Sequence, residues 1–308
     1  MKKSLFKGEA FAIVAAVLWG INYPVVKAIL NVVTESEFML IRFAFALALL
    51  IFYTSLTGEG FKIQFHHLGR ILVLGILGVG LYNIIWTHGI HKTSAANAAL
   101  LISTSPIFSG IYSALRKEET VDLRRWVGTI VALLGIFFIV KGAPGAAFQF
   151  GSNSFVGDLL IILGAILVAL YSIVAKPLLE YYSSAKLTTF AMAGGLLVIA
   201  PYSIIGHGIP TLSKFTWQTW LGFSYVIVLG TVVAFVLWYK GVKLTSPVKA
   251  LVYHYLIPVV SMILGFVFLG EKIYGGQIVG AILVFLGLLI VNSYFYLIKR
   301  IIKIFNGA

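Results

Sequence analysis

The sequence predicts an all-α polytopic membrane protein whose ten transmembrane helices form two inverted five-helix repeats. Three observations carry this prediction. Of the 308 residues, 60% are hydrophobic and only 11% are charged, whereas a soluble domain carries about a quarter charged residues. The charges sit in short islands between apolar runs of bilayer-crossing length. The second half also repeats the first at a shift of 152 residues. Trp86, Gly89, Thr93, Pro106, Ser109, Glu119, Gly128 and Gly135 fall on Trp238, Gly241, Thr245, Pro258, Ser261, Glu271, Gly280 and Gly287, and residues 77–140 share 16 identities in 64 positions with their counterparts. Finally, each half accommodates five spans, and an odd number turns the second copy upside down relative to the first. A sheet is excluded, because open edges cannot be satisfied in lipid and the alternation of a barrel is missing.

The apolar runs place helices at about 8–30, 37–57, 66–89, 94–116, 122–141, 153–178, 185–205, 215–241, 246–269 and 273–298. The first run follows a basic N-terminus and has the look of a signal peptide. Running from Gly8 to Leu30, it exceeds a signal's apolar core of about 7–15 residues. Gly8…Lys27 also matches Gly157…Lys176 at a shift of 149, so the run reads as a retained span. Residues 1–141 form the first repeat and 157–308 the second. Residues 142–156, rich in Gly, Ala and Ser, form the linker.

Orientation follows from the loops. With the N-terminus in the cytoplasm, 17 Lys and Arg residues fall inside and 4 outside, leaving out Lys27 and Arg42 as lying within spans. That bias places both termini in the cytoplasm of a cell (inner) membrane. It also accounts for the net charge of +13, which in a soluble protein would suggest nucleic acid. No span-free basic domain exists to bind one, so the expected partners are the lipid bilayer and a small-molecule substrate. There is no Cys, hence no disulfide or thiolate chemistry.

Polar groups inside a bilayer are costly and face a cavity or a partner; a charge at mid-span costs roughly 2.5–3.5 kcal/mol on the insertion scale. The intramembrane polar residues are therefore the candidate site. Trp19, Asn22, Tyr23 and Lys27 come from the first helix and Arg42 from the second. Tyr82, Asn83 and Trp86 come from the third, and Asn97, Ser103, Thr104 and Ser105 from the fourth. Tyr171 and Ser172 lie on the sixth, Trp238 and Tyr239 on the eighth, and Lys249, Tyr253, His254 and Tyr255 on the ninth. Trp19, Asn22, Tyr23, Tyr82, Asn83, Trp86, Ser103, Tyr171, Trp238, Tyr253 and His254 are the expected substrate-binding set. Aromatic residues near span ends also serve as interfacial anchors, and Ser and Thr also bond back to their own helix. Lys27 and Arg42 lie toward the outer face, where they either snorkel and pair with Glu35 or Glu37 or attract an anionic group. Lys249, at the cytoplasmic start of the ninth helix, is a third candidate to attract an anionic group. Pro106 and Pro258 are symmetry mates in mid-helix. Each removes a backbone hydrogen bond and frees a carbonyl one turn back, so they are expected to act as hinges.

All ten Asp and Glu residues sit at span ends or in loops. A proton-coupled cation antiporter wants a carboxylate at mid-depth, and none is there. Passive facilitation or exchange is the expected mode, unless His254 titrates. No cluster of His, Asp or Glu shares one depth, so neither an enzyme nor a metal site nor a cofactor is expected. Glu119 and Glu271 read as helix-end caps. Gly128 and Gly135, with Gly280 and Gly287, lie on one face of helices 5 and 10 and mark close helix packing. They leave a monomer or a weak homodimer through those helices as the expected state.

Leu18-Trp-Gly-Ile-Asn-Tyr-Pro-Val25 in the first span resembles the signature of EamA-type members of the drug/metabolite transporter superfamily. So do Arg42 and the Pro…Glu…Gly…Gly pattern of both halves. The resemblance covers about residues 8–298. It implies a central cavity bounded by helices 1, 3, 4, 6, 8 and 9, with helices 5 and 10 outside it. It further implies an alternating-access exporter of small metabolites such as amino acids or related neutral or zwitterionic, aromatic or drug-like compounds. The alternative within the superfamily is an organic-anion, sugar-phosphate or nucleotide-sugar exchanger, which would rely on Lys27, Arg42 and Lys249. The small multidrug-resistance relatives carry a membrane Glu in the first span, where this chain has Asn22 and Tyr23, so their coupling does not carry over.

Overall fold

In an apolar run long enough to cross a bilayer, the backbone can satisfy its N–H and C=O groups only by pairing with itself, and the helix does so locally. The computed structural model describes residues 2–93, 95–116, 123–141, 153–207, 215–269 and 273–291, and every regular element among them is helical. In chain order these are α1 (Lys2–Leu30), α2 (Glu35–Leu56), α3 (Phe65–Lys92) and α4 (Ala95–Ile102 and Ser105–Arg116). Then come α5 (Leu123–Lys141), α6 (Asn153–Tyr181), α7 (Ser184–His207), α8 (Trp217–Leu244), α9 (247–269) and α10 (Gly275–Val291). Among the described residues, α1–α4 and α6–α9 contain eight helices long and apolar enough to cross a membrane. The apolar stretches Trp126–Ile139 of α5 and Gly275–Val291 of α10 are shorter. Residues 142–152 of the expected linker lie outside the described residues, as do Glu119 and Glu271.

Helix starts carry their own punctuation. Thr34 and Glu37 form a capping box at α2: Glu37 N–H donates to Thr34 Oγ1 (3.3 Å) and Thr34 N–H to a Glu37 carboxylate oxygen (2.9 Å). Ser246 caps α9, whose first residue is Pro247, where the missing N–H costs nothing.

Four helices depart from regular α geometry, in matching pairs. α3 contains a π-helical stretch at Ile76–Leu81 and α8 one at Tyr225–Val233. At the shift of 152, Gly78 of the first falls on Gly230 of the second. The widened turn of a π segment re-aims the side chains that follow it. α4 is interrupted at residues 103–104, and α9 tightens into a 3-10 turn at Val252–Tyr255. Both irregularities directly precede a proline turn. Pro258 cannot donate to the carbonyl of His254, and Pro106 cannot donate to that of Ile102. Ser103 takes up one of these: its hydroxyl is 3.0 Å from the His254 carbonyl and 2.7 Å from that of Ala99.

Packing joins the two halves pairwise. α1 lies along α8 and α9, and α6 along α3 and α4. α2 packs on α7, and α5 on α10. The α5–α10 contact is a glycine seam. A Cβ on Gly135 would sit 2.5 Å from the Gly280 carbonyl, and one on Gly287 would sit 2.6 Å from that of Gly128. The backbones touch, so any larger residue would force them apart. These glycine faces are spent within one chain, and a dimer through α5 and α10 would have to use other faces. Outward-facing positions carry Phe45 and Phe52 on α2, Ile130 and Leu134 on α5, and Ile278, Ile282 and Phe285 on α10. Such exposed apolar stripes suit contact with lipid chains.

Candidate functional site

The matched irregularities in α3, α4, α8 and α9 border a central cavity. Its lining is Trp19, Asn22 and Tyr23 from α1, Arg42 from α2, Tyr82, Asn83 and Trp86 from α3, Ile102 from α4, Val168 and Tyr171 from α6, Phe235 from α8, and His254 and Ile257 from α9. Eight of the eleven expected substrate-binding residues therefore converge from four helices. The other three stand one layer back. Ser103 holds the His254 carbonyl. Trp238 packs on the His254 ring (4.8 Å between centroids) and on Trp19 (5.3 Å), and donates Nε1–H to Ser172 Oγ (3.3 Å). Tyr253 is buried in the core.

The aromatic wall is held at its edges. Trp19 meets Phe235 and His254 edge-on, at 5.4 and 5.5 Å. Its Nε1–H donates to the Gly230 carbonyl (3.1 Å). Trp86 donates to Tyr23 Oη (3.3 Å) and stands T-shaped to that ring. Tyr171 bridges Tyr82 and Phe235. Tilted, stacked and edge-to-face pairs of this kind fix the ring orientations. The π segments permit the close approach. A Cβ on Gly78 would strike Tyr171 Cβ at 2.5 Å, and one on Gly230 would strike Asn22 Oδ1. Asn83 Nδ2 donates to the Val79 carbonyl inside the π turn (2.8 Å).

Two polar atoms in the lining are buried with no hydrogen-bond partner, Asn22 Oδ1 and His254 Nε2. The Asn22 amide donates weakly to the Gly230 carbonyl (3.4 Å), and His254 Nδ1 lies 3.0 Å from Ser105 Oγ. Leaving such an atom unmade costs about 1–3 kcal/mol.

The cations part company. Arg42 does not snorkel and does not pair with Glu35 or Glu37. Only 3% exposed, it donates Nε–H to Thr231 Oγ1 (2.7 Å) and lies 4.9 Å from the Phe43 ring centroid. Glu37 is occupied in the capping box. Glu35 is held by His88 Nδ1 (2.7 Å) and by His91 Nδ1. No carboxylate pairs with Arg42 among the described residues. Thr231 is presented by the π segment and donates in turn to the Val226 carbonyl (2.7 Å), and Arg42 lines the cavity. Lys27 reaches the end of α3 and bonds three main-chain carbonyls there. Lys249 is half-buried on the first turn of α9, and neither lysine lines the cavity. The side chain of Asn97 lies outside the described residues. Ile102, Val168, Phe235 and Ile257 complete the lining. A search for polar residues passes over them, and for three of the four the signal is only that their repeat mates are polar: His254 for Ile102, Asn83 for Phe235 and Ser105 for Ile257. No group of His, Cys, Asp and Glu suited to a metal ion occurs among the described residues.

The profile of the EamA-like transporter family matches residues 6–141 and again 155–293. The chain is 25% identical over 276 residues to "uncharacterized transporter YyaM" of Bacillus subtilis, spanning 89% of this chain and 90% of that one. It is 26% identical over 228 residues to the "probable terminal-alkyne amino-acid exporter" of Streptantibioticus cattleyicolor, 73% of either chain. A crystal structure at 18% identity superposes with a TM-score of 0.76 over 92% of this chain and 94% of that chain.

Proposed function

The chain belongs to the EamA-like transporter family, and we propose that it is a cell-membrane carrier exporting small carboxylate-bearing metabolites by alternating access. Amino acids and related zwitterionic or neutral compounds are the preferred class. Ten membrane helices in two inverted repeats, with both termini cytoplasmic, form the frame of this reading. The equal pairing of α1 with α8 and α6 with α3, and the matched π segments and proline breaks, support it. Broken helices at mid-depth with a site at the repeat interface are how secondary carriers bind and release solutes.

The observation that carries the substrate class is Arg42. It is a buried cation facing the cavity, and no carboxylate answers it among the described residues. A guanidinium presents a planar fork that matches a carboxylate. Around it the cavity offers the unpaired Asn22 Oδ1 and His254 Nε2 for a second polar group, and faces of Trp19, Trp86, Tyr82 and Phe235 for an apolar remainder. One cation suits one carboxylate. A phosphate-ester exchanger would need Lys27 and Lys249 beside Arg42, and neither reaches the cavity. The export of an amino acid named for the Streptantibioticus relative is of the same kind.

A ligand that binds only the folded state raises its melting point. The test is a thermal-shift screen of amino acids, monocarboxylates and sugar phosphates on purified protein, followed by flux of the hits in proteoliposomes. Monocarboxylates or amino acids are expected to shift the parent and to lose their shift in Arg42→Gln. Stabilisation by sugar phosphates alone, or hits indifferent to Arg42→Gln, would overturn the assignment.

A further inference from the structure

Lys27 and Lys176 occupy equivalent nests. Lys27 Nζ lies 2.8, 3.2 and 2.9 Å from the carbonyl oxygens of Ile90, His91 and Thr93 at the end of α3. Lys176 Nζ lies 3.0, 2.8 and 3.1 Å from those of Val242, Lys243 and Thr245 at the end of α8. The two lysines are 149 residues apart, and each accepting residue is 152 from its mate. The last carbonyls of a helix have no partner within it, and a cation there also meets the negative end of the helix dipole.

A third helix joins each nest. A Cβ on Gly89 would come 3.2 Å from the Gly157 carbonyl, and Thr93 Oγ1 donates to Asp158 Oδ1 (2.6 Å). A Cβ on Gly241 would come 3.1 Å from the Gly8 carbonyl. One junction thus gathers the ends of α1 and α3 with the start of α6. The other gathers the ends of α6 and α8 with the start of α1. Nineteen residues separate Gly8 from Lys27 (27 minus 8) and Gly157 from Lys176 (176 minus 157). At the rise of an α-helix that is about 28 Å, close to the thickness of the hydrocarbon layer. The junctions therefore close opposite faces. Between them lie Trp19, Asn22 and Tyr23 on α1 and Val168 and Tyr171 on α6, all lining the cavity.

We propose that Lys27 and Lys176 are a matched pair of positioning residues, each holding one mouth of the cavity shut, and that the carrier turns over by releasing one junction while the other stays made. The proposal rests on the alternating-access reading above. An ammonium is well suited to such a latch. Its three donors rotate freely, so it can leave and re-enter a cluster of carbonyls without a fixed approach, which a planar guanidinium cannot do.

The chain has no Cys, so Val168→Cys provides a single reporter on the cavity wall. In intact cells, a membrane-impermeant maleimide labels it from the external face only. Lys27→Met and Lys176→Met are expected to change the labelling rate in opposite directions, each by about fivefold or more, the low end of coupling between sites. The double variant should return toward the parent. Lys27→Arg should behave like Lys27→Met. Rates that change in the same direction, or not at all, overturn the proposal. So does rescue by Lys27→Arg, which would mark Lys27 as an anion attractor. Should either methionine variant fail to fold, Gly89→Ala and Gly241→Ala wedge the same two junctions and must show the same opposition. Substrate flux in cells expressing the parent chain, which keeps Val168 and both lysines, separates the two ideas. Flux with unmoved labelling defeats the junctions alone, whereas opposed labelling without flux defeats the carrier reading alone.

Discussion

The α5–α10 seam and the central cavity are built from the same repeat by opposite rules. In the seam the two halves contribute identical residues, Gly128 and Gly135 against Gly280 and Gly287, and the backbones touch. In the cavity they contribute different ones. Asn22 packs on Gly230 of the α8 π segment, while its repeat mate Tyr171 packs on Gly78 of the α3 π segment. The glycine notch is preserved and the group filling it is not. Ile102 stands opposite His254 in the same way, and Phe235 opposite Asn83. A two-fold frame serves packing, where shape alone matters. In the cavity, divergence between the copies makes the enclosure lopsided, as the proposed substrate with one polar and one apolar end would require.

The contrast breaks most directly at Arg42. Arg42→Gln is expected to weaken substrate binding by about 30-fold or more, since losing one partner of a buried charge pair costs roughly 2–5 kcal/mol. The ligand-free protein should melt no lower, because an unanswered buried charge has been removed. Titrated thermal shifts measure both. Next come Gly135→Val and Gly280→Val. Each overpacks the seam at a cost of about 1–3 kcal/mol, lowering the melting temperature by similar amounts and leaving substrate affinity unchanged. Unequal effects, or lost affinity, would show that the seam is not symmetric and separate from the site. Asn22→Leu removes an unmade acceptor, and a ligand bond of about 1 kcal/mol corresponds to roughly a fivefold loss of affinity. Unchanged affinity with raised stability would show that Oδ1 is a packing defect instead. The smallest effect is expected at Lys249, where Ala should leave flux within about twofold, because this half-buried charge lies away from the cavity. A large loss would revive the anion-exchanger reading.

Much of the fold was legible in the chain. Helix positions followed from apolar length, and both proline breaks followed from the missing N–H of Pro106 and Pro258. The glycine face of α5 and α10 was visible as a spacing of seven in each half. The polar shortlist held most of the cavity because lipid penalises any polar group without a purpose. What failed was the sorting of cations. Lys27 and Arg42 sit at similar depth on neighbouring helices, and nothing local separates them. Arg42 turns inward because the α8 π segment, some 190 residues on, presents Thr231 to its Nε. Lys27 turns away because α3 ends within its reach. The π segments themselves were not legible, since a widened turn has no fixed residue signature beyond its glycines.

By itself, then, the sequence determined the membrane class, the positions of the helices, the repeat and the shortlist of polar side chains. Each of these follows from local chemistry: the cost of polar groups in lipid, helix length and the missing N–H of proline. Only the tertiary structure decided which polar groups meet in the cavity, that Arg42 rather than Lys27 or Lys249 supplies its charge, and that Lys27 and Lys176 occupy carbonyl nests at the ends of α3 and α8. Those outcomes depend on where helices distant in sequence end and how closely their glycines let them approach, and such distances are set by packing between halves.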